Sequence, residues 1–133
     1  YKLTNRRGPL AIGRGLSWHI VNDLDTDAMH TAAQFLLGKH DFSTFRAARC
    51  QADSPQRTLD LLNVVRDGET ILVHAGARSF LYHQVRNMVG SLKLVGEGKW
   101  SPQDVADALA ATDRSAGGPT APPEGLYLTE ISY

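Results

Sequence analysis

Over residues 58–98 the hydrophobic pattern changes period once, and that change restricts the chain to folds that set a β-hairpin directly beside a helix. TLDLLNVVR (58–66) reads as a strand and ETILVHAGA (69–77) as its return, with Asp67-Gly68 between them as a two-residue hairpin signal. FLYHQVRNMVGSLKLVGEG (80–98) then keeps helical time. Leu81, Val85, Met88, Leu92 and Val95 recur at steps of three and four, which defines one buried face. His83, Arg86, Asn87 and Gly90 form a second stripe, with a cation, two hydrogen-bonding side chains and a position without a side chain. A helix with that front is placed to line a cleft.

The flanks complete an α+β pattern. YKLT (1–4) and SWHIVN (17–22) read as short strands, the second with Trp18 and Ile20 on one face and His19 and Val21 on the other. Asp25 or Thr26 caps a helix whose stripe is Met29, Ala32, Ala33, Leu36 and Leu37, and Gly38 stops it. Ser101 caps a further helix, with Pro102 at its first position, Asp104 in its first turn and Val105, Ala108 and Leu109 on its apolar side. The Gly- and Pro-rich SAGGPTAPPEG leads to a last strand, LYLTEISY (126–133), with Leu126 and Leu128 facing away from Tyr127, Thr129, Ile131 and Tyr133. This order predicts a single domain over residues 1–133: a mixed, mostly antiparallel sheet with helices on one face. The first and last strands are expected at sheet edges, open to extension by a partner chain or a further segment. The abrupt start in a strand-like YKLT reads as that of a fragment.

Composition narrows the function classes. A chain of 133 residues with 42% hydrophobic side chains can bury a real core, and 14 basic residues balance 14 acidic ones, so nucleic-acid binding has to come from local clusters. A lone Cys50 forms no internal disulfide, and neither a signal peptide nor an apolar run of about 18 residues is present, so a reducing cytoplasm is the expected compartment. The five histidines, at 19, 30, 40, 74 and 83, show no metal-binding spacing, and CxxC, HExxH, GxGxxG, GxxxxGK[ST] and GxSxG are all missing. His30 is expected at the surface, and Cys50 as a small buried filler. In NRRGPLAIGRG, Arg6, Arg7 and Arg14 fall within nine positions and suit either a solvated loop or phosphate contacts. Phe42 and Phe45 alternate with Arg46 and Arg49, which suits base stacking and suits equally a short helical turn plugging a core. Arg86 is either half of a structural ion pair or part of a site.

Three blocks carry a resemblance. HDFSTFRA (40–47), FLYHQVRNMVGSL (80–92) followed by VGEGKW (95–100), and PPEGLYLTEISY (122–133), in this order and at these separations, resemble the C-terminal half of the tRNA pseudouridine synthase A family. The likeness covers nearly the whole chain. It implies a mixed, mostly antiparallel sheet flanked by helices. It also implies an isomerase that converts uridine to pseudouridine in the anticodon stem and loop of tRNA, working as a homodimer in the cytoplasm without metal or organic cofactor and away from membranes. The family's reactive aspartate lies in a GRTDAGVHA-like block that this sequence does not contain, so the chain alone is expected to be inactive. By the same resemblance, Arg86 pairs with that aspartate and Leu126 packs near the base. His83 and Asn87 orient Arg86 or its backbone, and Gly90 leaves room for close packing. Tyr1 falls just after the family's base-stacking tyrosine and does not take over its role. Arg6, Arg7, Arg14, Arg46 and Arg49 are the tRNA-contact candidates, with Phe42 and Phe45 supporting the loop. Two other classes stay open: a non-catalytic RNA-binding or dimerisation domain, and a domain that binds a protein or small molecule at its sheet edges.

Overall fold

The structure, a computed structural model, describes residues 1–8, 15–47 and 54–129. The hairpin is its largest element: β4 (Gln56–Asp67) and β5 (Thr70–Ala77) pair antiparallel from Asp67↔Thr70 outward. The turn is Gly68-Glu69, one residue later than the Asp67-Gly68 reading, because the glycine supplies the left-handed φ of 60° that opens a tight hairpin. A register shift between Leu59 and Leu61 changes which side chains face inward. Leu59, Leu62 and Val64 are buried while Leu61 is left 41% exposed.

Around the hairpin the five-stranded sheet runs β2-β1-β5-β4-β3. β1 (Lys2–Asn5) lies antiparallel to β5 and parallel to β2 (Trp18–Ile20). The expectation that the first strand forms an edge is therefore corrected, since both of its sides are hydrogen-bonded. β3 (Gly38–Asp41), which the sequence does not signal, covers only Gln56 to Leu59 of β4. Beyond that point side chains of α1 (Thr26–Gln34) finish the edge: His30 Nδ1 accepts from Val64 N at 3.2 Å and Gln34 Nε2 donates to Leu62 O at 3.2 Å. His30 is thus a partly buried hydrogen-bonding residue rather than a purely surface one.

α1 is capped by Asp25, which accepts from Ala28 N at 3.0 Å, and it buries Met29, Ala32 and Ala33. α3 (Pro102–Ala111) carries the predicted Ser101 cap as a full capping box with Asp104 and buries Val105, Ala108 and Leu109. α2 (Gln84–Gly96) begins later than periodicity suggests, because residues 81–83 form a turn closed by Gln84 Oε1, which accepts from Leu81 N at 2.8 Å. α1 packs on β4 and against α2 and α3. The core between them holds Leu3, Met29, Leu36, Phe42, Phe45, Leu62, Ile71, Met88 and Leu92. The mixed sheet and three helices are the predicted α+β arrangement.

One expected strand is missing. Residues 126–129 join no sheet: Leu126 N turns back to Pro123 O at 3.0 Å and Leu128 is 81% exposed. The described sheet has free edges at β2 and β3, but residues 126–129 extend neither, and the Tyr127 hydroxyl instead donates to Leu16 O. Ile131 and Tyr133 lie outside the described residues.

Candidate functional site

Arg86 stands in the first turn of α2 and is fastened to residue 121 twice. Its Nε donates to Ala121 O at 2.7 Å, and its carbonyl accepts from Ala121 N at 3.0 Å. The next residue, buried Asn87, donates to Phe45 O at 2.8 Å and accepts from Thr120 Oγ1 at 2.6 Å and Arg114 Nη2 at 3.1 Å. Ser91 Oγ accepts from Gly118 N at 2.8 Å. At Gly90 a Cβ would fall inside the Pro119 carbonyl oxygen, so only glycine lets the chain pass. The polar stripe therefore does not line an open cleft along its length. A strap of residues 117–121 covers it: Arg86 and Ser91 partner its backbone at Ala121 and Gly118, and Asn87 takes the Thr120 hydroxyl. The end at His83 and Arg86 stays partly exposed.

The strap continues into residues 122–126, which Tyr1 secures. The Tyr1 hydroxyl donates to Pro122 O, and a Cβ on Gly125 would strike the Tyr1 ring and the Lys2 carbonyl. Burial pushes the Tyr1 phenol pKa well up, nearby Glu124 adds to the rise, and the Arg86 cation opposes it. Leu126 emerges from this anchored turn 44% exposed. His83 takes a left-handed φ of 61° and stacks on Tyr82, with ring centroids 4.0 Å apart. Its pKa is lowered, first by desolvation and then by Arg86, so the ring is held neutral beside that cation. Tyr82 O accepts from Ala47 N at 3.1 Å, which draws the segment after Phe45, Arg46 included, toward the same end of α2.

Among the sequence candidates the fold thus gathers Arg86, His83, Asn87, Arg46 and Leu126 around the start of α2 and the 121–126 turn. It does not bring Arg6 and Arg7 to them. Tyr1 belongs to this region, and five residues of extended chain at about 3.3 Å each carry Arg6 roughly 16 Å away. Arg7 pairs there with Asp23 at 3.6 Å in full solvent. Arg14, Arg49 and Cys50 lie outside the described residues. Phe42 and Phe45 are fully buried at a short helical turn and support the loop from within the core. The sequence reading missed the anchors Arg114 and Thr120, whose only sequence signal is their place in a loop that has to find partners. Among the described residues no three His, Cys, Asp or Glu side chains gather as metal ligands would, and no helix is long and apolar enough to cross a membrane.

Arg86 forms no ion pair among the described residues, and its two terminal nitrogens bond to none of them. A five-stranded mixed sheet with three helices, the second of which presents this arginine beside a stacked Tyr–His pair, defines an α+β domain. Residues 32–133 match the family model described as tRNA pseudouridine synthase, and the chain belongs to that family. It is similar along all 133 residues to proteins named tRNA pseudouridine synthase A: 62% identical to that of Acidiphilium cryptum (strain JF-5), 61% to that of Paramagnetospirillum magneticum (strain ATCC 700264 / AMB-1) and 60% to that of Rhodospirillum centenum (strain ATCC 51521 / SW). It covers 52%, 52% and 54% of their lengths respectively. The chain spans about half the length of the curated relatives it matches.

Proposed function

We propose that this chain supplies the arginine side of the active site of a tRNA pseudouridine synthase, which isomerises uridine in the anticodon stem and loop. The observation that carries the reading is Arg86: partly buried, aimed by its bond to Ala121 O, and with both terminal nitrogens uncommitted among the described residues. A guanidinium held this way receives a carboxylate through two parallel hydrogen bonds. A cation within about 4 to 6 Å keeps a carboxylate ionised and fixes its direction. The carboxylate is the family's aspartate, contributed from outside this sequence. The base has to leave the stack before its glycosidic bond is accessible. The bond between N1 and C1′ breaks, the uracil turns, and C5 joins C1′; C5 loses its proton and N1 gains one, so the product is an isomer. The paired carboxylate drives this exchange, Leu126 gives the turning base an apolar wall, and His83, kept neutral beside Arg86, adds no competing charge. Asn87 holds the strap that aims Arg86. No cofactor is required, the tRNA is the partner, and the working form is a cytoplasmic homodimer.

The test is Arg86→Ala in a protein of the relatives' full length that contains this chain. Turnover in a tritium-release assay on tRNA should fall at least a hundredfold, about 2.7 kcal/mol of transition-state stabilisation, while tRNA affinity changes less than threefold. Equal losses in turnover and affinity would make Arg86 a binding residue and refute its pairing role.

A further inference from the structure

A second basic feature lies across the sheet from Arg6 and Arg7, at the β3 side. Lys39, Gln56, Arg57, Thr58, Arg78 and Ser79 line a groove of about 270 Å³. Strand register assembles it. Lys39 pairs with Thr58, and Arg78, one residue past the Ala77 that pairs with Leu59, comes level with Thr58. Three adjacent strands thus carry Lys39, Thr58 and Arg78 across a span of about 10 Å. Among the described residues no Asp or Glu lines the groove, and none of its three cations forms an ion pair.

Arg57 separates this groove from a row of solvated side chains. Its Nη1 donates to Ser54 O at 3.0 Å and Gln56 O at 2.7 Å, which holds the guanidinium in place, while its Nε is shielded from solvent and has no partner. A desolvated donor without an acceptor is costly, and an anion in the groove would relieve that cost. The chain leaves the groove at Ser79 and passes through Phe80 and Tyr82, 38% and 59% exposed, before reaching His83 and Arg86. Cations followed by exposed rings are what a single-stranded nucleic acid uses, one set for its phosphates and the other for its bases.

We propose that the groove of Lys39, Arg57 and Arg78 is a phosphodiester-binding subsite that holds the RNA backbone on its way to Arg86, with Phe80 and Tyr82 as stacking surfaces between the two. This rests on reading the chain as part of a pseudouridine synthase. It adds a contact surface made of residues that the family resemblance does not mark.

The experiment measures binding of a fluorescently labelled anticodon stem-loop RNA to the chain by anisotropy across a potassium chloride series. The proteins compared are the wild type, Lys39→Ala/Arg78→Ala and Arg78→Glu. Arg57 is left intact because its Nη1 bonds are structural, and circular dichroism checks that each variant is folded. Loss of two single-strand phosphate contacts should lower the log–log salt slope by about 1.4 and weaken binding about 25-fold at 0.1 M salt. Lys39→Arg/Arg78→Lys should keep the slope. If the wild type binds and the folded variants bind equally well, or weaken with an unchanged slope, the groove is not a phosphate site; the role of Arg86 is then untouched, since turnover judges it. If the wild type fails to bind at low salt, the groove proposal falls, while conversion by the full-length protein still decides the Arg86 reading.

Discussion

At the scale of single residues, the stripe on the front of α2 is a set of joints. Asn87 spends all of its hydrogen-bonding groups on Phe45, Thr120 and Arg114, and Gly90 lies directly under the Pro119 carbonyl. Arg86 keeps its two terminal nitrogens in reserve among the described residues. The closeness at Gly90 predicts a large effect from a small change. Gly90→Ala should destabilise the chain by about 3 kcal/mol, the upper end of overpacking costs, because the obstruction is backbone that cannot rotate away. Urea unfolding should show this as a lower midpoint at unchanged m-value. A midpoint within error of wild type would show that the strap is not seated on α2. Gly90 was legible as a place for close packing, but what packs on it was not, since Pro119 is 29 positions away along the chain.

At the scale of elements, legibility follows the range of the interactions. α3 could be read to its cap because every signal for it falls within four residues: Ser101 accepts from Asp104 N, and Asp104 accepts from Ser101 N. Ser101→Ala should therefore cost about 1 kcal/mol, or about 4 °C in melting temperature for a chain of this size. Calorimetry checks it, and no shift would mean that another acceptor takes over the cap. β3 shows the opposite case. GKHD has no alternation to detect, and it becomes a strand because Gly38, at a φ of 95°, reverses the chain after α1 and lays it along β4. The closing LYLT has ideal alternation and forms no strand among the described residues, because alternation alone, without backbone partners to build a ladder, does not make a strand. At α2, Leu81 fell in helical phase yet belongs to the turn before the helix, tied there by Gln84.

At the scale of the whole molecule, Arg86 presents donors at the rim with no carboxylate to receive among the described residues. The chain alone should therefore release no tritium from uridine-labelled tRNA, while binding that tRNA with an affinity that falls as salt rises. Tritium release proportional to the concentration of this chain would overturn the assignment of the reactive carboxylate to a segment outside it. The net charge is zero, so RNA binding has to come from the placement of cations, and placement is a property of the fold. Residues 39, 58 and 78 look unrelated in the sequence, and strand register sets them side by side in one groove. Arg6 and Arg7, adjacent in sequence and conspicuous for that reason, end far from Arg86 because β1 runs away from it.

By itself the sequence determined the hairpin, the apolar faces of α1 and α3, their N-caps, and the family to which the chain belongs. These depend on side-chain periods and on bonds that span a few residues, or on motif order, all of which are written along the chain. Only the tertiary structure decided that a strap closes the front of α2, that Arg86 keeps free donors behind that closure, and that three scattered cations share a groove. Those outcomes come from contacts between segments tens of residues apart, where shape and backbone hydrogen bonding, rather than local pattern, select the partner.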